Sequence, residues 1–152
     1  MREWRLLYST DLHGSSLSTL LTLCQSAKAS LIIVRETGES GATFGGLVPC
    51  ALRARDLETF YGNSQAMVFT LKSGILDCWD GASTGGCNEL YIYSHRTKGL
   101  GMGGGNGEGF AFWLDSNLCL GTSGRSDTFG NPEALSTAGS FTTQDVEVYG
   151  IV

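Results

Sequence analysis

The sequence contains few side chains that could carry acid–base or nucleophilic chemistry. His13 and His95 are its only imidazole bases. The candidate nucleophiles are five cysteines: Cys24, Cys50, Cys78, Cys87 and Cys119. A base and its nucleophile need proximity in space rather than in sequence, so a histidine paired with Cys50 or Cys119 would define a thiol-dependent antioxidant or hydrolytic enzyme. His13 lies in the turn-like segment DLHGS, where a capping or solvent-facing histidine is the usual occupant.

The spacings that mark known catalytic and metal sites are absent. In GTSGR at 121–125 the second glycine comes one residue too early for a G-x-S-x-G nucleophile elbow. The glycine-rich segment 99–109 matches neither the dinucleotide fingerprint nor the P-loop. The acidic residues that could hold a hard cation lack the spacing of a calcium loop: Asp77, Asp80, Glu108 and Asp115. We therefore expect no cofactor and no metal.

The cysteines are odd in number and contain no C-x-x-C pair, which argues against a disulfide framework or a zinc site. Buried free thiols are the expectation, and Cys119 in particular stands between two leucines without a basic neighbour. Free thiols without a leader sequence predict a cytoplasmic protein, with the nucleus and, through a partner, organelle surfaces left open.

Length and charge limit the possible partners. The 152 residues suffice for one domain, and the net charge of −5 comes with no cluster of lysines and arginines. Phosphate backbones and anionic membranes are bound through such clusters, so neither nucleic acid nor a membrane is an expected direct partner. The domain either stands alone or is one part of a longer chain, and its oligomeric state is left open.

The hydrophobic pattern predicts one helix and many strands. Apolar residues recur at helical spacing over 17–29, with Ser15 or Ser16 as the N-cap. Strand-like segments are predicted at 31–35, 43–48, 66–72, 89–93, 109–114 and 145–149. Their alternating pattern favours antiparallel pairing. The predicted fold is therefore mainly β (α+β), a two-sheet antiparallel β-sandwich flanked by short helices, with the main helix covering one end or one sheet edge.

The segment 99–109 runs directly into an aromatic strand. Glycine lets another surface approach the main chain closely, which makes this loop a candidate for partner contact. The aromatic residues that follow are expected in the core because they bury large apolar areas: Phe110, Phe112, Trp113 and, further on, Phe129.

The order of several motifs over 1–152 resembles the TLDc domain, the module of oxidation-resistance proteins. These motifs are the opening WRLLYSTDLHGSSLSTLLTLC, then FGGLVP, GMGGGNGEGFAFWLD, DTFGNPEALS and the final DVEVYG. The resemblance implies a β-sandwich, a role in protection against oxidative stress, and binding to the peripheral sector of the vacuolar proton-pumping ATPase. It implies no established catalytic residues. Two departures are Ser126, where many members have cysteine, and Tyr149, where tryptophan is more familiar.

The leading hypothesis is a non-catalytic protein-binding domain. Its expected partner-binding residues are those of the glycine loop, two isolated glycines and two acidic residues: Gly103, Gly104, Gly105, Gly107, Gly45, Gly62, Glu108 and Asp115. The alternatives are the thiol-dependent enzyme and a lectin-like sandwich that binds sugars through Trp79 or Tyr93.

Overall fold

The computed structural model describes residues 3–55, 57–104 and 109–152. Within them are two short helices, α1 (Thr10–His13) and α2 (Leu17–Cys24), and a single 3-10 turn at Ala82–Thr84. The strands are β1 (Arg5–Ser9), β2 (Ala29–Glu36), β3 (Thr43–Val48), β4 (Met67–Lys72), β5 (Ile75–Asp80), β6 (Ile92–His95), β7 (Gly99–Gly104), β8 (Phe110–Asp115), β9 (Leu120–Ser123) and β10 (Ser140–Ile151).

The strands form two antiparallel sheets that share β10. The first sheet has the order β5-β4-β3-β2-β10-β1, and the second has the order β10-β9-β8-β7-β6. The start of β10 pairs with β9, and the rest of it pairs with β2 and β1. The register shifts between Thr143 and Asp145, where the strand passes from one sheet into the other. Such an irregularity bends a strand and increases its local twist.

The two sheets pack face to face through aromatic and aliphatic side chains. Phe44 of the first sheet contacts Phe112 and Phe141, with ring centroids 6.1 and 4.9 Å apart. Gly46 has no side chain, and the sulfur of Met102 from the second sheet occupies the space that a Cβ would need. The two-sheet antiparallel sandwich predicted from the sequence is confirmed.

Helix α2 covers the edge of the first sheet at β1. Leu17, Leu20, Leu21 and Cys24 are its buried residues. Of the two predicted N-caps, Ser15 and Ser16, the structure has Ser16, whose hydroxyl accepts a hydrogen bond from the Thr19 amide. The helix ends at Cys24 and not at residue 29, because Ala29 already pairs with Ile151 in the sheet.

The strand predictions were right for some strands and missed others, both at the edges and inside the sheets. Thr43–Val48 was predicted with its observed bounds, whereas β1, β5, β7 and β9 were not predicted. The segment predicted at 89–93 begins later, at Ile92, because Asn88 accepts a hydrogen bond from the Leu90 amide and holds a turn there.

Candidate functional site

The structure places the described part of the glycine-rich segment inside the sheet. Gly103 and Gly104 are buried residues of β7. A Cβ on Gly103, which has φ +70°, would lie 2.7 Å from the Phe129 ring, and one on Gly104 would lie 2.6 Å from the Phe60 ring. Close packing therefore accounts for these glycines. Their contact with a partner stays a prediction. Gly105, Gly107 and Glu108 lie outside the described residues.

The other predicted partner-binding residues are dispersed. Gly45 lies in the first sheet, between Ile33 and Phe69. Gly62 is exposed with φ +97°. Asp115 is paired with Gly99, at the opposite end of β7 from Gly104. Its carboxylate accepts a hydrogen bond from the Cys119 amide at 3.0 Å. The described members of the set do not form one site, and a binding role for each stays a prediction.

The aromatic strand β8 sends its rings to both sides of the second sheet. Phe112 is fully buried between the sheets, and Phe129 is also fully buried, as predicted. Phe110 and Trp113 are only half-buried, and their ring centroids are 4.9 Å apart. Their rings fill the space above Gly99 and Gly101, where side chains on β7 would collide with them. The expectation that these two rings lie in the core was wrong.

The thiols differ sharply in exposure. Cys24 is buried, Cys50 is half-buried, and Cys78, Cys87 and Cys119 are exposed, which corrects the expectation that the cysteines are buried. Burial raises the pKa of Cys24 to about 12 and also raises the pKa of Cys50. Cys119 is exposed because it lies in the turn between β8 and β9, which Asp115 closes.

Both histidines accept hydrogen bonds from nearby backbone amides. Nδ1 of His13 accepts a hydrogen bond from the Ser9 amide, and its ring stacks on Tyr8. Nδ1 of His95 accepts a hydrogen bond from the Thr97 amide. Across the part of the chain that the structure describes, no histidine is hydrogen-bonded to a cysteine.

Thiol labelling checks this arrangement. In the native protein at neutral pH we expect rapid modification of Cys78, Cys87 and Cys119, slower modification of Cys50, and modification of Cys24 only after unfolding. Intact-mass spectrometry against time, followed by peptide mapping, gives the order, with a sample in urea as the control for complete labelling. Early modification of Cys24 would contradict the buried helix face.

Within residues 3–55, 57–104 and 109–152, no group of three or more His, Cys, Asp or Glu side chains is arranged to hold a metal ion. No described helix has the length and apolar character needed to span a membrane.

An apolar groove lies on the outer face of the first sheet. Its volume is about 360 Å³. We call its lining the outer patch: Leu31, Ile33, Leu47, Met67, Phe69, Leu76 and Cys78. Directly paired residues of an antiparallel sheet project to the same face, and the row Ile33, Gly45, Phe69 and Cys78 crosses four neighbouring strands. One predicted residue, Gly45, therefore lies within this surface.

Charged residues stand on two sides of the outer patch. On the β10 side, Arg35 forms ion pairs with Asp145, at 2.7 Å, and with Glu147. These two carboxylates raise the pKa of the Arg35 guanidinium. On the β5 side, the exposed Asp80 is paired with Met67 and thus shares its face. Among the described residues, these three acidic side chains and one basic side chain stand at the border of the patch.

The outer patch was not predicted, although the sequence contains a signal for it. In β2 the residues of both faces are apolar over Leu31–Val34, where a strand with one solvated face would alternate. Continuous apolar runs are typical of strands that are covered on both faces. That signal indicates a surface suited to a covering partner.

Comparison with known proteins identifies the family. The model of the TLDc domain matches residues 1–152. The chain is 32% identical to MTOR-associated protein MEAK7 of Xenopus laevis, over 98% of its own length and 32% of that protein. It is 33% identical to human Oxidation resistance protein 1 and to Nuclear receptor coactivator 7 of Gallus gallus, over 96% of its length in both cases. It spans 16% and 15% of those two proteins. The chain therefore belongs to the TLDc domain family.

Proposed function

We propose that this TLDc domain is a non-catalytic protein-binding module that supports resistance to oxidative stress. Its proposed partner is the peripheral sector of the vacuolar proton-pumping ATPase, which it would regulate from the cytoplasmic side. The observation that carries the binding role is the outer patch. The link to oxidative stress rests on the family and on the relative named Oxidation resistance protein 1.

An apolar sheet face of this kind favours a protein partner. Large contiguous apolar patches are uncommon on soluble monomers and typically mark interaction sites. Covering such a surface removes apolar area from water, which contributes about 25 cal/mol per Å². The half-buried Ile33, Leu47 and Phe69 are held in place by the sheet, so little side-chain freedom is lost on binding.

The border of the patch indicates what chemistry the partner surface should have. Asp80, Asp145 and Glu147 outnumber Arg35, and the whole chain has a net charge of −5. We therefore infer that the partner segment has an apolar centre flanked by lysine or arginine. The complementary charges would mainly raise the association rate and select the partner.

A matched pair of leucine variants tests the docking surface. Leu76 lies in the outer patch and is 60% exposed, whereas Leu12 lies on α1 and is 70% exposed. We expect Leu76→Glu to weaken binding to the purified peripheral sector at least about tenfold, because a charge is buried at the interface, and Leu12→Glu to leave it unchanged. Biolayer interferometry provides the affinities.

Each outcome of that experiment has a definite meaning. Equal affinity of the two variants would show that the outer patch is not part of the interface. Absence of binding by the wild-type domain would reject the pump as the partner. Circular dichroism melts of both variants serve as the folding control, and Glu108→Gln in the same assay tests the predicted glycine loop separately.

The thiol-dependent enzyme is the second candidate, and the exposure of Cys119 favours it. The Sγ of Cys119 is 3.2 Å from the Asn117 carbonyl oxygen and 3.6 Å from the Ser15 hydroxyl. These neighbours are neutral, whereas reactive thiols typically lie beside a positive charge. Peroxide consumption by the wild type that is lost in Cys119→Ser would establish this alternative.

A further inference from the structure

The open end of the sandwich contains a cleft of about 510 Å³. It lies where β10 changes sheets, between the end of β2, the start of β9 and the segment 137–142. Glu36, the last residue of β2, forms part of its wall. Successive side chains of β2 point to opposite faces of the sheet. Glu36 therefore points between the two sheets, and Arg35 points to the outer face.

The carboxylate of Glu36 is held in place by neutral donors. The residue is only 9% exposed. The Thr137 amide donates to Oε1 at 2.9 Å, the Ala42 amide donates to the same oxygen at 3.4 Å, and the Thr137 hydroxyl donates to Oε2. Among the described side chains, no lysine, arginine or histidine forms an ion pair with Glu36; Arg35 pairs instead with acidic residues on the other face.

A buried carboxylate without a cation is an unusual arrangement. Removing an ionised group from water costs free energy, and hydrogen bonds from neutral groups offset only part of it. A cation placed in the cleft beside Glu36 would add a charge-assisted hydrogen bond in a partly desolvated site. The arrangement thus favours a positively charged ligand.

The rest of the cleft suits a long cationic side chain. The ring of Phe141 and the side chain of Leu120 provide an apolar wall against which a methylene stem can pack. The hydroxyls of Thr37 and Thr142 are hydrogen-bonded to each other in the lining, and each retains capacity to accept a further hydrogen bond. We propose that this cleft binds a lysine or arginine side chain of a partner polypeptide, with its charged group facing Glu36.

This site is independent of the proposed pump docking. The cleft opens between the sheets, whereas the outer patch lies on the other face of β2. A test with small cationic probes involves no pump subunit. Failure of one proposal therefore leaves the other standing.

The test is a nuclear magnetic resonance titration of the uniformly labelled domain. The probes are Nα-acetyl-lysine amide and Nα-acetyl-arginine amide, with Nα-acetyl-norleucine amide as the uncharged control. We expect saturable shifts of the amide signals of 137–142 with at least one cationic probe, in the millimolar range, and none with the control. Absence of such shifts with both cations would overturn the proposal.

Variants then test whether the negative charge of Glu36 is responsible for binding the cationic probes. We expect Glu36→Gln to weaken binding at least about tenfold, because the amide oxygen can still accept from Thr137 while the negative charge is lost. Asp11→Asn, an exposed position on α1 that does not line the cleft, is the matched control and should bind normally. Undiminished binding by a folded Glu36→Gln variant would contradict the assignment.

A second pair of variants leaves Glu36 untouched and is used if Glu36→Gln does not fold. Leu120 lines the cleft and is 55% exposed, and Leu57 lies elsewhere and is 66% exposed. We expect Leu120→Lys to block the cationic probes by supplying a competing charge, and Leu57→Lys to have no effect. Equal binding by both lysine variants would overturn the proposal.

Discussion

Replacing Phe44 with alanine is expected to lower the free energy of unfolding by about 3–5 kcal/mol. The ring is fully buried in β3 and contacts Phe112 and Phe141 of the facing sheet. Truncation removes apolar surface from the core and leaves a cavity, because rings held by two sheets cannot collapse fully into the space. Urea unfolding followed by tryptophan fluorescence measures the change.

The control for this prediction is Leu12→Ala. Leu12 is a large apolar residue in α1, but it is exposed, so its truncation should change stability by no more than about 0.5 kcal/mol. Equal slopes of free energy against urea would show that the denatured states are comparable. A loss below about 1 kcal/mol for Phe44→Ala would mean that the two sheets do not pack through this ring.

The sequence predicted the sandwich because segments such as 68–72 alternate in period two, which favours antiparallel sheets. Thr43–Val48, whose Phe44 packs against the facing sheet, was predicted with the bounds that the structure shows. The edge strand Ile75–Asp80 was missed because nearly all of its residues are exposed, so burial leaves no periodic pattern in it. This segment forms a strand because it pairs with β4.

Strand β7 was predicted as a loop for a different reason. Glycine has a low intrinsic preference for strands, so Gly99–Gly104 carries a loop signature when taken alone. In the fold the rings of Phe110 and Trp113 lie over Gly101, where a Cβ would be 2.8 Å from each. The neighbouring strand supplies the side chains that β7 lacks. The intrinsic strand propensity of β7 alone cannot reveal that rings from the neighbouring strand fill the space above its glycines.

The candidate surfaces were even less accessible to sequence reasoning. The outer patch combines β2, β3, β4 and β5, and its existence depends on the register that puts Ile33, Phe69 and Cys78 in one row. The Glu36 cleft depends on a contact with Thr137, which is 101 residues away in sequence. Both surfaces arise from long-range pairing, and the apolar run Leu31–Val34 is a local signal for only one of the strands that form the outer patch.

Gly45→Ala is expected to destabilise the domain by about 3 kcal/mol, the upper part of the usual range for overpacking. A Cβ at this position would overlap the backbone carbonyl oxygen of Ile32 on β2. That carbonyl belongs to the ladder between two central strands, so neither strand can move aside without breaking hydrogen bonds on both of its sides. Chemical unfolding and the thermal midpoint report the loss.

Gly139→Ala provides the matched glycine control. Its nearest non-adjacent atom lies 3.9 Å from the position of a Cβ, in ordinary contact, so the substitution should be neutral within about 0.5 kcal/mol. This comparison also separates two roles for Gly45, which was predicted from the sequence as a partner-binding residue. If Gly45→Ala unfolds the domain while Gly139→Ala does not, close packing of β2 and β3 is sufficient to explain the glycine. A Gly45→Ala variant that keeps wild-type stability but loses binding to the pump would instead assign the position to the interface.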